Sequence, residues 1–321
     1  MGGVSQSDHL RPRRRRPLLK VAGAFVLLAL IGYGAVQYDS TNGSGGAPHC
    51  TASLRTGEQA VDMTPEQAAN AATIAAVGVA KGLPDRAVTI ALATAMQESM
   101  LRNLDHGDRD SLGLFQQRPS QGWGTPQQIM DPVYSAGIFY DRLAAIKGYS
   151  RLPLTEAAQQ VQLSGFPQAY AKHEPDATVL TAAFAGDGEL MCGGPAPTAP
   201  GDPEKVRTEL TRIFAKDKLH SAPAGPNRAA EAGRAVKEAE VTFVEKRDGG
   251  ASAARGSKAM AGWAVANAHG MGIARVSYDR AGWIAGQAKG KWQPAGAAGG
   301  KSAPGDPYEA KQDEVRIFVA R

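Results

Sequence analysis

Glu98 is the residue whose surroundings most invite chemistry. Val88, Leu92, Ala95, Met96 and Ser99 recur at helical spacing and predict a helix from Pro84-Asp85 to about Glu98 or Met100. Ala87, Ala91, Thr94 and Ala95 share the face of Glu98. Small neighbours let other elements pack closely and expel water, and desolvation disfavours the ionised carboxylate, so its pKa should rise. A carboxyl kept protonated near neutral pH is what general-acid cleavage of a glycosidic bond needs. By itself a glutamate at a helix end is ordinarily a solvated surface residue. Most glycosidases use a second carboxylate. Asp105, Asp108 and Asp110, on the polar loop that follows, are the candidates, with Asp caps and Asx turns as the alternative for all three.

The context of Glu98 is more specific. Gln97-Glu98-Ser99 is followed by Ser111-Leu112-Gly113-Leu114-Phe115-Gln116-Gln117-Arg118-Pro119. This resembles the lytic transglycosylase and goose-type lysozyme superfamily, in which the catalytic Glu opens a Glu-Ser pair at a helix end and a Gly-Leu-Met-Gln strand crosses the cleft. Phe115 stands where Met is usual. The fuller run, Gly107-Asp108-Arg109-Asp110-Ser111 through Gln121-Gly122-Trp123-Gly124-Thr125, is similar to an actinobacterial wall-associated subgroup. The resemblance spans about 60 to 190. It implies a helical lysozyme-like domain with a sugar-binding groove, Glu98 as general acid and then base, and peptidoglycan glycan strands as the ligand. Ser99, Gln116 and Gln117 would hold the glycan. Trp123 would stack on a sugar ring, with loop packing as its alternative. Tyr170 would match a cleft tyrosine that the family places near the acid, with a core tyrosine as its alternative. A muramidase needs a second carboxylate to position water; a lytic transglycosylase needs only the single Glu, because the muramyl 6-hydroxyl attacks its own anomeric carbon. The sequence leans toward single-Glu chemistry without settling it.

A second, weaker resemblance covers about 255 to 320. Ala261-Gly262-Trp263 through Tyr278 and Gly282-Trp283 are similar to an actinobacterial exported C-terminal module that ends in a His-x-Asp-His-Val-His strand suited to a metal. Here the stretch reads Lys311-Gln312-Asp313-Glu314-Val315-Arg316-Ile317, and all three histidines are gone. Lys311 and Arg316 would repel a cation, so no metal site and no cofactor are expected. His106, His173 and His269 show no ligand spacing and read as isolated surface residues.

The elements that must position these residues follow from caps and periodicity. Thr64-Pro65-Glu66-Gln67 is a capping box that opens a helix to about Lys81. Leu112 to Gln116 reads as one short strand. Asp131-Pro132 opens a helix to about Ile146, and Thr155–Leu163 and Ala177–Ala185 also read as helices. Asp39 to Gly57 and Gly193 to Pro203 read as linkers, the second followed by an amphipathic helix from Glu204 to Lys216. Beyond about 229, a helix over Ala253–His269 and strands over Ile273–Tyr278 and Glu314–Ala320 form a smaller unit, a binding or scaffold module. The fold class is α+β: an N-terminal transmembrane helix over 18–38, a mainly helical lysozyme-like domain over 58–192, a linker over 193–228 and a small α/β domain over 229–321.

The bulk numbers agree with an exported chain. Of the formal net charge of +5, nearly all sits in Arg11 and Arg13 to Arg16. The positive charge is therefore a local targeting signal, and a nucleic-acid-binding surface is excluded. Leu18 to Tyr38 is apolar except for Lys20 and Gln37, and the next basic residue is Arg55. That arrangement places an uncleaved anchor in the cytoplasmic membrane with the bulk of the chain outside, a cleaved signal peptide being the alternative. Cys50 and Cys192 then lie in an oxidising compartment and flank one domain, which favours a disulfide over two unrelated thiols. Two rivals to the enzyme remain: a protein that holds glycan without cutting it, and an anchored assembly factor for a wall-protein partner.

Overall fold

The computed structural model describes residues 46–163, 167–214, 219–221, 225–226, 238–245, 251–294, 310 and 314–321. The expected membrane segment over 18–38 and the run Lys311 to Asp313 lie outside the described residues. No helix among the described residues is long and apolar enough to cross a membrane. The architecture is α+β.

Two strands open the chain, β1 (His49–Ser53) and β2 (Ala60–Met63). Helix α1 (Pro65–Ala80) starts at the expected capping box: Thr64 Oγ1 accepts from the Gln67 amide, and Gln67 Oε1 accepts from the Thr64 amide. Helix α2 (Asp85–Ser99) follows. Both helices are built largely from Ala, Val, Ile and Thr and are buried on nearly every side. Small side chains permit this. In α1, Gly78 lies under the Tyr140 hydroxyl, which donates to the Ile74 carbonyl at 3.0 Å. Around this pair lie α3 (Pro126–Ile129), α4 (Pro132–Ala145), α5 (Leu154–Gln162) and α6 (Glu174–Ala185). Asp131 caps α4 by accepting from the Val133 amide.

Strand β3 (Glu189–Gly193) pairs with β1, which also pairs with β2, giving the order β2-β1-β3. Cys50 and Cys192 are register partners in this sheet and form the expected disulfide. The stretch from Asp39 to Gly57 is thus not linker throughout, because β1 is the middle strand of a sheet. Its residues, His-Cys-Thr-Ala-Ser, are too polar to announce a strand; burial of Cys50 and Ala52 against the helices makes one.

Beyond β3 come α7 (Pro203–Phe214), β4 (Leu219–Ser221), β5 (Gly225–Pro226), β6 (Glu238–Glu245), α8 (Ala251–Ala266) and α9 (Ala268–Met271). The chain closes with β7 (Ile273–Tyr278), β8 (Ala281–Ile284), β9 (Gln293–Pro294) and β10 (Glu314–Ala320). These strands make one sheet in the order β4-β6-β10-β7-β8-β9, with β5 also on β6. Helix α8 packs on this sheet and, on its other side, on α1. The described residues of both halves therefore share a single hydrophobic core. Residues 193–203 lie against the body: the Gly194 amide donates to the Gln287 carbonyl, and the Gly201 amide to that of Ala320. On β10, Arg316 Nε donates to Glu240 Oε1 at 2.7 Å, and both side chains are buried.

Candidate active site

Helix α2 ends at Ser99 without a glycine. Met100 and Leu101 take left-handed conformations, φ 53° and 60°. For non-glycine residues this is uncommon and costs of order 1–3 kcal/mol each. Side chains from α1 hold the pair in place. Gln67 Nε2 donates to the Met100 carbonyl at 3.0 Å, and Asn70 Nδ2 to that of Leu101 at 2.8 Å. The helix thus stops abruptly, and its last turn presents Glu98, half-buried, beside the segment that follows.

That segment is not the expected strand. Leu112 and Gln117 exchange backbone hydrogen bonds in an isolated bridge, and the residues between them form a tight turn. Gly113 has φ 76°, and a Cβ there would meet the Ile129 carbonyl oxygen at 2.7 Å. Gln116 has φ 47°. Leu114 and Phe115 point into the core, where Phe115 stacks on Phe139 at 4.6 Å between centroids.

The Glu98 carboxyl accepts a hydrogen bond from Tyr170. Tyr170, fully buried in the 3-10 turn Pro167–His173, donates its hydroxyl to Oε1 at 2.6 Å. The Gln162 amide, at the end of α5, donates to the Phe115 carbonyl at 2.7 Å and lends the carboxyl a weaker electrostatic support. Burial pushes the pKa of Glu98 up, the Tyr170 hydrogen bond and then the Gln162 amide dipole pull it down, and burial wins. The group is a carboxyl with a raised pKa and fixed orientation, suited to giving up a proton and taking one back.

The other residues singled out in the sequence divide. Tyr170 belongs to the site. Gln116 lies on the adjoining turn; its Nε2 donates to the His106 and Gly113 carbonyls at 3.2 and 3.3 Å, and its side chain occupies the space a Cβ at Gly107 would need. Ser99 and Gln117, expected to touch glycan, are internal. Ser99, 4% exposed, donates to the Leu114 carbonyl, and Gln117, 1% exposed, donates to that of Ser135. Their polar groups anchor the turn. Trp123 is 6% exposed, and the Arg142 guanidinium lies 3.5 Å above its ring. A sugar would have to displace that cation to stack there.

The three aspartates differ in use. Asp110 accepts from Arg118 Nε and from the amide and hydroxyl of Ser120, which hold its carboxyl far below the usual carboxylate range. It locks the loop, the turn role weighed against catalysis. Asp105 is exposed and lowered by its bond to the His106 ring. Asp108 is exposed beside Arg109. His173, expected to be an isolated surface residue, is 9% exposed and its Nε2 lies 3.2 Å from Gln97 Oε1. Burial first, and Lys172 second, push its pKa down.

Gln162 went unrecognised in the sequence. The available signal was its place one turn beyond buried Ala158, where the apolar face of α5 runs out into an amide. Cavities of about 390 Å³ beside Lys205 and Met271 and about 150 Å³ beside Asn70 and Trp263 include neither Glu98 nor its partners. The environment of the carboxyl, rather than cavity size, locates the chemistry. No family model matches this chain, and no curated protein is found to be similar to it.

Proposed function

We propose that this protein is an extracytoplasmic peptidoglycan-cleaving glycosidase, anchored by residues 18–38, with Glu98 as its general acid and base. The observation that carries this reading is the half-buried Glu98 carboxyl, raised in pKa and oriented by the Tyr170 hydroxyl. In the reaction, protonated Glu98 gives its proton to the glycosidic oxygen as the bond to the anomeric carbon breaks. The resulting carboxylate then takes a proton from the nucleophile that closes on that carbon. Asp110 is committed to its loop, and Asp105 and Asp108 are strongly exposed, which favours single-carboxylate chemistry with the muramyl 6-hydroxyl as nucleophile. The Cys50–Cys192 disulfide supports an oxidising compartment.

The test is release of muropeptides from purified peptidoglycan, read by mass spectrometry, with full-length wild type beside Glu98→Gln. Wild type is expected to release anhydro products, and the variant to lose on the order of 10²–10⁴-fold in rate. Reducing-end products would replace the transglycosylase with a hydrolase. Release that persists in the variant, or glycan bound without release by wild type, would overturn the reading.

A further inference from the structure

The 3-10 turn Pro167–His173 addresses the end of α2 with two side chains. Tyr170 and His173 stand three residues apart, and at three residues per turn they share a face. That face meets two successive residues of α2. The Tyr170 hydroxyl donates to Glu98 Oε1 at 2.6 Å, and His173 Nε2 lies 3.2 Å from Gln97 Oε1. An amide oxygen only accepts, so Nε2 carries the hydrogen and His173 is the donor. Both side chains are buried, Tyr170 fully and His173 to 9% exposure. The turn runs directly into α6, whose Thr181 hydroxyl lies 2.9 Å from that of Thr89 on α2. Glu174, the first residue of α6, accepts from Arg86 near the start of α2.

We infer that His173 is a positioning residue of this site: its bond to Gln97 seats the 3-10 turn on α2 and thereby sets the Tyr170 hydroxyl on the Glu98 carboxyl. The inference rests on the glycosidase reading for its effect on rate, but the seating itself does not. Arg86 and Thr89 hold α6 nearer the start of α2. Among the described residues, His173 supplies the only side-chain hydrogen bond from the turn to α2 besides that of Tyr170 itself. Gln97 directly precedes the acid, so the histidine grips α2 where a displacement is felt at once by Glu98. The Tyr170 hydroxyl sits at the far end of a rigid ring. A shift of the turn by about an ångström would carry its short bond to the carboxyl out of hydrogen-bond range.

The test compares His173→Leu, which removes the donor, with His173→Gln, which returns an N–H near the place of Nε2, in the full-length chain. Gln97→Met removes the acceptor from the other side and keeps length and helix propensity. The Glu98 titration is followed by carbon NMR of carboxyl-labelled glutamate, its resonance identified by its loss in Glu98→Gln. His173→Leu and Gln97→Met are expected to move the Glu98 midpoint upward, because a donor to the charged form is weakened, and His173→Gln to hold it near the wild-type position. In a Tyr170→Phe background, where that donor is already gone, His173→Leu should add no further shift. Muropeptide release at saturating peptidoglycan should fall by about 10–100-fold in His173→Leu, with half-saturation changed by less than about threefold, and recover in His173→Gln. A folded His173→Leu or Gln97→Met with an unmoved Glu98 midpoint would overturn the inference. So would an equal shift in the Tyr170→Phe background, since the effect would then bypass the hydroxyl. A shift that depends on Tyr170, in a protein whose wild type releases nothing, would uphold the seating and remove the glycosidase reading instead.

Discussion

At the scale of the residue, Glu98 links chemistry to stability. Its folded pKa lies above the ordinary glutamate value because burial outweighs the Tyr170 bond and the Gln162 amide dipole. Below the unfolded pKa both states hold the proton and the site contributes nothing. As pH rises through the window from the ordinary value to the raised one, the unfolded chain ionises first and folded stability falls. Above the raised pKa the loss is complete and constant. Glu98→Gln removes it while still accepting from Tyr170. The variant should match wild type in melting temperature near about pH 3 and exceed it at about pH 7. A difference independent of pH, measured by calorimetry across that range, would sink the raised pKa. Tyr170→Phe acts in the opposite sense to a stabilising change: losing a donor to the carboxylate should move the alkaline limb of muropeptide release upward, and a fixed limb would exclude Tyr170 from the site.

At the scale of the element, the site depends on a turn that has no strand to support it. The segment 112–117 is held by side chains of Ser99, Gln117 and Gln162 and by the φ of Gly113. Gly113→Ala demands both a left-handed alanine and room that the Ile129 carbonyl occupies. It should cost about 1–3 kcal/mol and lower activity more than a surface change of equal destabilisation. Denaturant unfolding measures the first, and muropeptide release the second. Wild-type values for both would mean that the turn can move without consequence. The helix α2 repays its own strained exit through Gln67 and Asn70, both supplied by α1, so the two helices form one positioning device.

At the scale of the whole molecule, the second half is joined to the first by tryptophans. Trp263 Nε1 donates to Thr73 Oγ1, Trp283 Nε1 to the Cys192 carbonyl and Trp292 Nε1 to that of Leu190, each at 3.1 Å. Arg255 adds a bond to the Leu83 carbonyl and another to Asp85, and Lys258 Nζ reaches the Gly188 carbonyl. A stop after residue 192 would strip the cover from α1, so that fragment should not unfold cooperatively. The chain from residue 46 onward should melt in one transition with equal calorimetric and van't Hoff enthalpies. Two separated transitions would show that the halves are independent. Replacing Cys50 and Cys192 by serine should cost about 2–5 kcal/mol, because the bridge closes a long loop of the unfolded chain. An unchanged denaturation midpoint would argue against that contribution.

Local chemistry made much of this legible in the sequence. The Thr64 capping box, Asp131-Pro132 and the apolar spacing in Asp85–Ser99 specify helices through groups a few residues apart, and β10 shows in its alternating apolar residues. Glu98 is singled out by the Glu98-Ser99 pair and the spaced Gly113-Leu114-Phe115-Gln116 run, its small-residue face being too common to do so alone, and the Cys50–Cys192 pair by its flanking of one domain and its expected compartment. What only the tertiary structure decided depends on contacts far along the chain. Strand β1 forms because β3, more than a hundred residues later, pairs with it. Ser99 and Gln117 turn inward because carbonyls elsewhere need donors. Trp123 is covered because Arg142, on α4, crosses it. Gln162 meets the Phe115 carbonyl because α5 ends where the turn bends, and spacing along one helix carries no information about which acceptor waits at its end.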